Sequence, residues 1–479
     1  MRLRTTILAV ISMILASSVA HGSLLQDTDA FIGNWSGTLH AGEQDIGFVF
    51  HITSEEDGSL SASMDVPAQG GFGIQIEKIE TDGNSITLTM PLPGSPSYSG
   101  VLNESKDSIS GTFSQGNMSL PLDLVRDTTA TAPQRPQEPT QPYPYLVEDI
   151  AFENSDAGIT LAGTITTPKG PGPFAGVVLI SGSVPHDRNS SMMGHKPFLV
   201  LADFLTRHGI AVLRFDDRGT GESDGDFAAA TPEDFAGDAL AAMAFLSDHA
   251  GVDANRVGLL GHSEGALAAI IATDRSDEVA FLILLAGSSL PGSEALEASA
   301  AALGRVNGAS NEAVEVNIKI LATLTKALAE TKAGESAVPT MREYAHELIE
   351  TIEPATLASA GMSKSVINQM IQQLDMPNSR FVLQYDPRPA LQRSKTPTLA
   401  VLGDRDPLMP AEQHAPLFAA AFADSPGNDQ TVVVLPGLNH LLQNAETGSP
   451  AEFGRLTETM SPEAMRLLSD WILVRFGGK

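Results

Sequence analysis

Hydrophobic and polar residues alternate over short stretches in the first quarter of the chain. Between residues 31 and 125, strand-length runs with apolar residues at alternate positions are separated by Gly, Asp, Asn and Ser. Runs of this length and spacing predict a small antiparallel β-barrel or β-sandwich, which we assign to residues 27–127. The predicted strands cover residues 47–52, 60–66, 74–79, 86–90, 98–102, 109–113 and 120–124.

Proline dominates the next segment, residues 128–145. Five prolines are spaced through polar residues between positions 128 and 144. Proline at this density prevents regular strand pairing and favours an extended, semi-rigid spacer. The segment therefore predicts a boundary between two domains.

From residue 146 to the C-terminus, apolar runs alternate with amphipathic helical stretches. This alternation predicts parallel βαβ units and thus a doubly wound, mostly parallel sheet of the α/β class over residues 146–479. Between about residues 290 and 392 no strand is evident while helical periodicity continues, which predicts a helical cap over the strand ends. The predicted strands cover residues 177–180, 210–215, 257–260, 281–285, 398–402 and 431–435, and the predicted helices 197–207, 232–249, 265–274, 411–422 and 462–476.

The N-terminal residues have the layout of a secretory signal peptide. Arg2 and Arg4 precede an apolar run over residues 7–16, and Ser18 and Ala20 are small residues at the −3 and −1 positions of a cleavage site. We therefore expect residues 1–20 to be removed near Ala20 and the protein to be exported, either to the periplasm or to the medium. A membrane anchor is the alternative, but the run is shorter than the roughly 20 residues that span a bilayer. No later segment is long and apolar enough to span one.

Composition narrows the classes of function. The chain has 29 Lys and Arg against 58 Asp and Glu, a net charge of −29, which disfavours a nucleic-acid partner because phosphates would be repelled. Hydrophobic residues make up 42% of the chain, which excludes a wholly disordered protein. Cysteine is absent, so disulfides, thiolate metal sites and a cysteine nucleophile are excluded.

The strongest chemical signal is the G-x-S-x-G motif at residues 261–265. It directly follows a predicted strand and directly precedes a predicted helix, which is the context of a nucleophile elbow. The glycines remove the Cβ atoms that would clash in a sharp turn, so that the Ser263 hydroxyl is lifted above the sheet, and the helix N-terminus favours negative charge. The alternative is an ordinary Gly-Ser turn.

A serine hydroxyl needs a base that is itself oriented by a carboxylate. Two loops at the C-terminal ends of predicted strands, residues 403–410 and 436–440, offer these groups. Open α/β sheets place their functional residues at such strand ends. The first loop contains Asp404 and Asp406, and the second ends with His440. The chain order Ser, Asp, His is that of the α/β-hydrolase triad.

Residues 146–479 resemble α/β-hydrolases of the exported serine esterase and serine aminopeptidase-like group. The motifs that carry the resemblance are the elbow, the G-x-x-D loop at 403–406, the Asn-His pair at 439–440 and the D-x-R-G-x-G-x-S turn that follows the strand at 210–215. The resemblance implies that Ser263 is the nucleophile, His440 the base and Asp406 the acid, which leaves Asp404 as a solvent-facing loop residue. The N-terminal module, with its Trp35 between two glycines, resembles a lipocalin-like barrel.

The resemblance also implies an oxyanion hole formed by two backbone N–H groups. One belongs to Glu264, directly after the nucleophile, and the other to Ser183, in a loop where many relatives carry His-Gly. Here Ser181 replaces that histidine. Arg218 is expected to anchor a loop, and His262 to pack beside the turn. Three further histidines lack a triad position, namely His186, His195 and His414.

These inferences predict a serine carboxylesterase that acts on a small-molecule ester and needs no metal or organic cofactor. A serine peptidase, aminopeptidase or amidase on the same triad is an alternative, and acidic residues of the insertion are candidates for receiving a substrate ammonium. A non-catalytic protein that binds a ligand through the β-domain is a second alternative. A haloalkane dehalogenase is disfavoured, because that reaction needs Asp in place of Ser263. The acidic residues of the insertion that could receive the ammonium of an aminopeptidase substrate are Glu343, Glu347, Glu350 and Glu353.

Overall fold

Two β-sheets organise the part of the chain that a computed structural model describes: residues 28–41, 44–55, 58–66, 71–90, 96–116, 118–128, 134–332 and 334–478. The predicted signal peptide lies outside these residues. Within the described ranges, the first sheet has ten strands between Gly33 and Arg126, and the second has eight strands between Leu146 and Leu435. Among the described helices, none combines the length and apolar character needed to cross a bilayer.

The N-terminal sheet is antiparallel and rolls up so that its two edges meet. Its order is β4-β3-β2-β1-β10-β8-β7-β6-β5, with β9 paired to β8. The backbone N–H of Ile76 donates to Ala62 on β3, while that of the next residue, Glu77, donates to Thr89 on β6. Consecutive residues thus pair with opposite ends of the sheet. The strands are β1 (Gly33–Ala41), β2 (Gln44–Ser54), β3 (Leu60–Val66), β4 (Gly71–Gln75), β5 (Lys78–Asp82), β6 (Ser85–Thr89), β7 (Ser97–Leu102), β8 (Ser108–Gln115), β9 (Met118–Pro121) and β10 (Leu124–Arg126).

Side chains fill the interior of this sheet. Trp35, Phe50 and Tyr98 are fully buried in its core, and the Trp35 indole N–H donates to the carbonyl of Phe31 at 2.7 Å. Two of the predicted strands are wrong in extent: residues 74–79 are divided between β4 and β5, and residues 120–124 between β9 and β10. The first division occurs where the chain crosses from one edge of the sheet to the other.

The second sheet carries the α/β part of the chain. Its order is β11-β12-β14-β13-β15-β16-β17-β18, in which β11 and β12 are antiparallel and the strands from β14 onward are parallel. The sequence analysis did not identify β11 and β12, because β11 is an exposed edge strand rich in charged residues and threonines interrupt the apolar residues of β12. The strands are β11 (Leu146–Asn154), β12 (Ile159–Thr167), β13 (Phe174–Ile180), β14 (Ile210–Phe215), β15 (Val252–His262), β16 (Leu282–Leu285), β17 (Thr398–Gly403) and β18 (Gln430–Leu435).

Helices cover both faces of this sheet. On one face α1 (Pro197–Arg207) and α12 (Pro462–Phe476) bury their apolar side chains, and on the other face α2 (Pro232–Ser247), α3 (Glu264–Arg275) and α11 (Ala411–Asp424) do so. Seven further helices of the described chain lie between β16 and β17 and form a cap, most of which packs around a core of its own. They are α4 (Gly292–Val306), α5 (Asn311–Glu330), α6 (Val338–Ile349), α7 (Pro354–Ser359), α8 (Lys364–Leu374), α9 (Pro377–Gln384) and α10 (Arg388–Arg393).

The proline-rich segment is fastened to the α/β domain from Gln134 onward, whereas its composition predicts a spacer. The Arg135 guanidinium donates to four backbone carbonyls of the α/β domain, and the Gln137 side chain both donates to and accepts from the backbone of the loop before α12. Gly73 of the β-domain also lies against Gly194 of the α/β domain. A Cβ atom added to Gly73 would lie 2.4 Å from the Cα atom of Gly194. The carbonyls that accept from Arg135 are those of Met193, Gly194, Gly454 and Leu456.

Candidate active site

Ser263 stands at a sharp turn between β15 and α3. Its backbone has φ +57° and ψ −119°, a conformation that L-residues rarely adopt. The two glycines of the motif make the turn possible, since a Cβ on Gly261 would lie 2.1 Å from the carbonyl oxygen of Gly265. A Cβ on Gly265 would lie 2.2 Å from the carbonyl oxygen of Ser181. The elbow is therefore packed against the start of the loop that follows β13.

A continuous hydrogen-bonded chain joins the three residues that the sequence predicts as a triad. Ser263 Oγ lies 3.0 Å from His440 Nε2, and His440 Nδ1 lies 2.8 Å from Asp406 Oδ2. Asp406 and His440 are buried, with 3% and 6% of their surface exposed. Asp404, the alternative carboxylate, is exposed and accepts a bond from the backbone N–H of Gly437 at 2.6 Å. The structure therefore brings Asp406, and not Asp404, to His440.

The surroundings of Asp406 define the tautomer of His440. Burial raises the pKa of Asp406, but the neighbouring His440 and two backbone N–H groups outweigh burial and hold this pKa below its usual value. Those groups, from Leu408 and Met409, donate to Oδ1 at 2.8 and 3.0 Å. Because an ionised carboxylate only accepts hydrogen bonds, His440 Nδ1 carries the hydrogen and Nε2 is free to accept from the Ser263 hydroxyl.

His262, inside the motif, supports the loop that carries His440. Its ring Nε2 lies 2.8 Å from the backbone carbonyl oxygen of His440, to which it donates. Burial lowers the pKa of His262 to about 3, so this ring is neutral at physiological pH. His262 is thus a structural partner of His440 and not a second base.

The loop that contains Ser183 is tied to the turn after β14. Asp217 accepts from the Ser181 hydroxyl at 2.5 Å and from the backbone N–H of His186 at 2.9 Å, and the His186 ring donates to the Ser183 carbonyl at 3.1 Å. Burial raises the pKa of Asp217 to about 7 despite these hydrogen bonds. A Cβ on Gly182 would lie 3.2 Å from the Ser263 Cβ, so the loop borders the hydroxyl group.

A cavity of about 320 Å³ opens beside this chain of residues. Ser183, Ser263, Glu264 and His440 lie on one side of it, and helices α4 and α9 of the cap contribute the facing residues. Apolar side chains dominate, as is usual in sites for small molecules. They include Leu267, Leu290, Leu296, Leu374, Val382, Leu383, Leu408 and Met409.

Other residues singled out from the sequence lie elsewhere. The four glutamates of the insertion are exposed and do not line the cavity, so the acidic residue of the described chain that does line it is Glu264. Arg218 makes a bidentate ion pair with Asp238 on α2, which anchors its turn as expected. His195 donates to a backbone carbonyl and His414 accepts from a backbone N–H, both in buried positions. Within the described ranges, no three His, Asp or Glu side chains are grouped to hold a metal ion.

Sequence reasoning missed two groups of this site. They are the Asp217 carboxylate and the amide of Asn378 on α9, which donates to Glu264. Asp217 lies in the D-x-R-G-x-G-x-S turn that the sequence analysis recognised, so this motif could have pointed to it. Nothing in the local pattern around Asn378 marks it, because its place in the site depends on how the cap packs.

Comparison with known proteins agrees with this architecture. The family profile described as serine aminopeptidase, S33, matches residues 195–447, slightly more than half of the chain. The match includes Ser263, Asp406 and His440 and begins after Ser183. A protein named esterase EstD, from Thermotoga maritima, is 28% identical over 319 residues, which cover 65% of this chain and 74% of that protein.

Solved structures to which this chain is similar include an esterase of Pyrococcus furiosus and the α/β-hydrolase GrgF of a Penicillium species. The first is 16% identical with a TM-score of 0.41, and the match covers 70% of this chain and 92% of the other. The second is 17% identical with a TM-score of 0.42, and the match covers 70% of this chain and 100% of the other.

Proposed function

The chain belongs to the serine aminopeptidase S33 family of α/β-hydrolases, and we propose that within this family it is a serine carboxylesterase. The observation that carries the proposal is the hydrogen-bonded chain from Asp406 through His440 to the Ser263 hydroxyl. The similarity to an esterase over 65% of the chain supports ester substrates. The largely apolar cavity beside Ser263 supports a small acyl or alcohol group of mainly apolar character.

In the proposed reaction, Ser263 Oγ attacks the ester carbonyl carbon while His440 Nε2 takes the hydroxyl proton. Asp406 holds the ring in the required tautomer and stabilises its positive charge. His440 then gives the proton to the departing alkoxide, which leaves an acyl group on Ser263. A water molecule that His440 deprotonates attacks this acyl group, and the carboxylic acid and free Ser263 result.

The negative charge on the carbonyl oxygen is stabilised by backbone N–H groups in this proposal. The N–H of Glu264 is at the N-terminus of α3, where the helix dipole adds to the effect. The N–H of Ser183 comes from the loop that lies against Ser263. Loss of one such donor typically costs about 3 kcal/mol of transition-state stabilisation.

A peptidase or amidase activity is the second candidate, and the name of the matched family favours it. The same nucleophile and base would cleave an amide, but the departing group would be an amine. The four exposed glutamates of the cap do not line the cavity and therefore give no support to recognition of a substrate ammonium at those positions. Relative rates on esters and amides decide between the two activities.

The test compares Ser263→Ala with the wild type on p-nitrophenyl butyrate and on amino-acyl p-nitroanilides. We expect Ser263-dependent turnover of the ester, slower or absent turnover of the anilides, and fluorophosphonate labelling of the wild type alone. Ser276→Ala, at the half-buried C-cap of α3 and thus at the opposite end of that helix from Ser263, is the matched serine control. Ester turnover that survives in Ser263→Ala would refute the role of Ser263. Faster turnover of the anilides would favour the peptidase instead.

A further inference from the structure

The cavity beside Ser263 contains a carboxylate that the proposed chemistry does not use. Glu264 Oε2 accepts a hydrogen bond from the Ser183 hydroxyl at 3.1 Å, and Oε1 accepts one from the Asn378 amide at 2.9 Å. Both partners are neutral. Burial raises the pKa of Glu264, and no charged group of the described chain contributes to this shift. The carboxylate is thus half-buried beside the cavity, and no cation among the described residues compensates its charge.

The amide of Asn378 has one orientation that fits an ionised Glu264. A carboxylate has no hydrogen to donate, so Asn378 must turn its NH2 group toward it. Its Oδ1 atom is then buried without a hydrogen-bond partner among the described residues. An unpaired buried acceptor is costly, so the hydrogen bond to Glu264 must compensate that cost and holds Asn378 against this carboxylate.

The Glu264 carboxylate interrupts a lining that is otherwise mainly apolar. Given the esterase activity proposed above, we propose that Glu264, oriented by Ser183 and Asn378, is a specificity subsite for a hydrogen-bond donor of the substrate, a hydroxyl or an ammonium group near the scissile ester. A hydroxyl would donate to the carboxylate, and an ammonium would also compensate its charge. A carboxylate at the same place would be repelled, so the subsite discriminates against anionic esters.

A purely structural role for Glu264 makes a different prediction. Its side chain connects the Ser183 loop to helix α9 of the cap, and loss of this connection would disturb every substrate alike. A subsite instead changes the ratio of rates between substrates of equal size. That ratio does not depend on the folded fraction of a variant, so it separates the two roles even where a substitution reduces stability.

The test measures kcat/KM for four ethyl esters by titration of the released acid: butyrate, 3-hydroxybutyrate, 3-aminobutyrate and the monoester of succinate. In the wild type we expect the hydroxy or the amino ester to exceed ethyl butyrate about tenfold, and the succinate monoester to fall about tenfold below it. Preference for the hydroxy ester alone identifies a hydroxyl as the natural donor, and preference for the amino ester alone identifies an ammonium.

Glu264→Gln keeps the shape of the side chain and removes its charge. The new amide can donate to Asn378 Oδ1, which turns toward it, and still accept from Ser183. We expect the advantage of the amino ester and the penalty on the succinate monoester each to shrink at least about fivefold. Glu297→Gln, on cap helix α4, is the matched control, because burial raises the pKa of this glutamate too and it does not line the cavity.

Equal rates for all four esters in the wild type, or ratios unchanged in Glu264→Gln, would refute the subsite while ester hydrolysis stands. Ratios altered equally by Glu297→Gln would also refute it, because the effect would then belong to the general charge of the cap. If no ester is hydrolysed in a manner that depends on Ser263, the proposed function fails and the subsite fails with it.

Discussion

Replacement of Asp406 by Asn tests the proposed triad most directly, because the structure determines how the new amide would be oriented. The backbone N–H groups of Leu408 and Met409 both donate to Oδ1. The amide in Asp406→Asn must therefore keep its oxygen at that position and turn its NH2 group toward His440. The ring then accepts a hydrogen at Nδ1 and carries its own hydrogen on Nε2, from where it cannot accept the Ser263 proton.

The expected loss follows from that change of tautomer. The equivalent substitution in serine proteases lowers kcat about 10⁴-fold, and we expect a similar factor here, which corresponds to about 5.5 kcal/mol of transition-state stabilisation. The geometry of the site should survive, because Asn has the same shape as Asp and retains the two backbone hydrogen bonds. The thermal midpoint should therefore change little compared with the loss of activity.

The assay is kcat/KM for p-nitrophenyl butyrate together with the rate of fluorophosphonate labelling. Asp404→Asn is the matched control, since Asp404 lies two residues away in the same loop, is exposed, and does not contact His440. We expect this control to remain within about threefold of the wild type. Asp406→Asn within tenfold of the wild type, or a larger loss for Asp404→Asn, would refute the reasoning.

Three further predictions concern His262, Arg135 and Asp217. His262→Phe keeps a ring but removes the donor to the His440 carbonyl, so kcat should fall about tenfold; a change below twofold would contradict the supporting role. Arg135→Met should lower the free energy of unfolding in urea by about 2–5 kcal/mol, because four carbonyls lose their donor, whereas Arg342→Met, at an exposed position, should have little effect. The pKa of Asp217 is about 7 in the folded protein, above its ordinary value of 3.8, so the folded state retains a proton that the unfolded chain loses. The free energy of unfolding should therefore fall relative to Asp217→Asn between pH 4 and 7, by at most about 1.4 kcal/mol per pH unit, and a constant difference over this range would contradict the shift.

Much of the α/β domain could be predicted because its signals are local. Buried parallel strands are continuous apolar runs, and the elbow around Ser263 needs glycines at fixed positions, since a Cβ there would collide with the backbone. Loops after such strands converge on one edge of the sheet, and Asp406 and His440 lie where this rule places them. The choice between Asp404 and Asp406 rested on resemblance, and in the structure burial and two backbone donors distinguish them.

The features that escaped prediction depend on packing between distant segments. The apolar positions of a cap helix show which face is buried but not what it meets, so Asn378 could not be connected to Glu264 from the sequence. The predicted strand at 74–79 breaks because Ile76 and Glu77 pair with opposite ends of the sheet, which an apolar pattern does not record. The docking of Arg135 escaped for the same reason, since its acceptors lie about 60 and 320 positions further along the chain.

The attachment of Arg135 has a practical consequence for dividing the protein. A fragment that starts at Leu146, where the proline-rich stretch ends, would expose the acceptors around Gly194 and Gly454 that this guanidinium covers. A fragment that contains the α/β domain alone should instead begin between Arg126, where the last strand of the β-domain ends, and Gln134. The α/β domain therefore includes more of the chain than the segment in which strands and helices alternate.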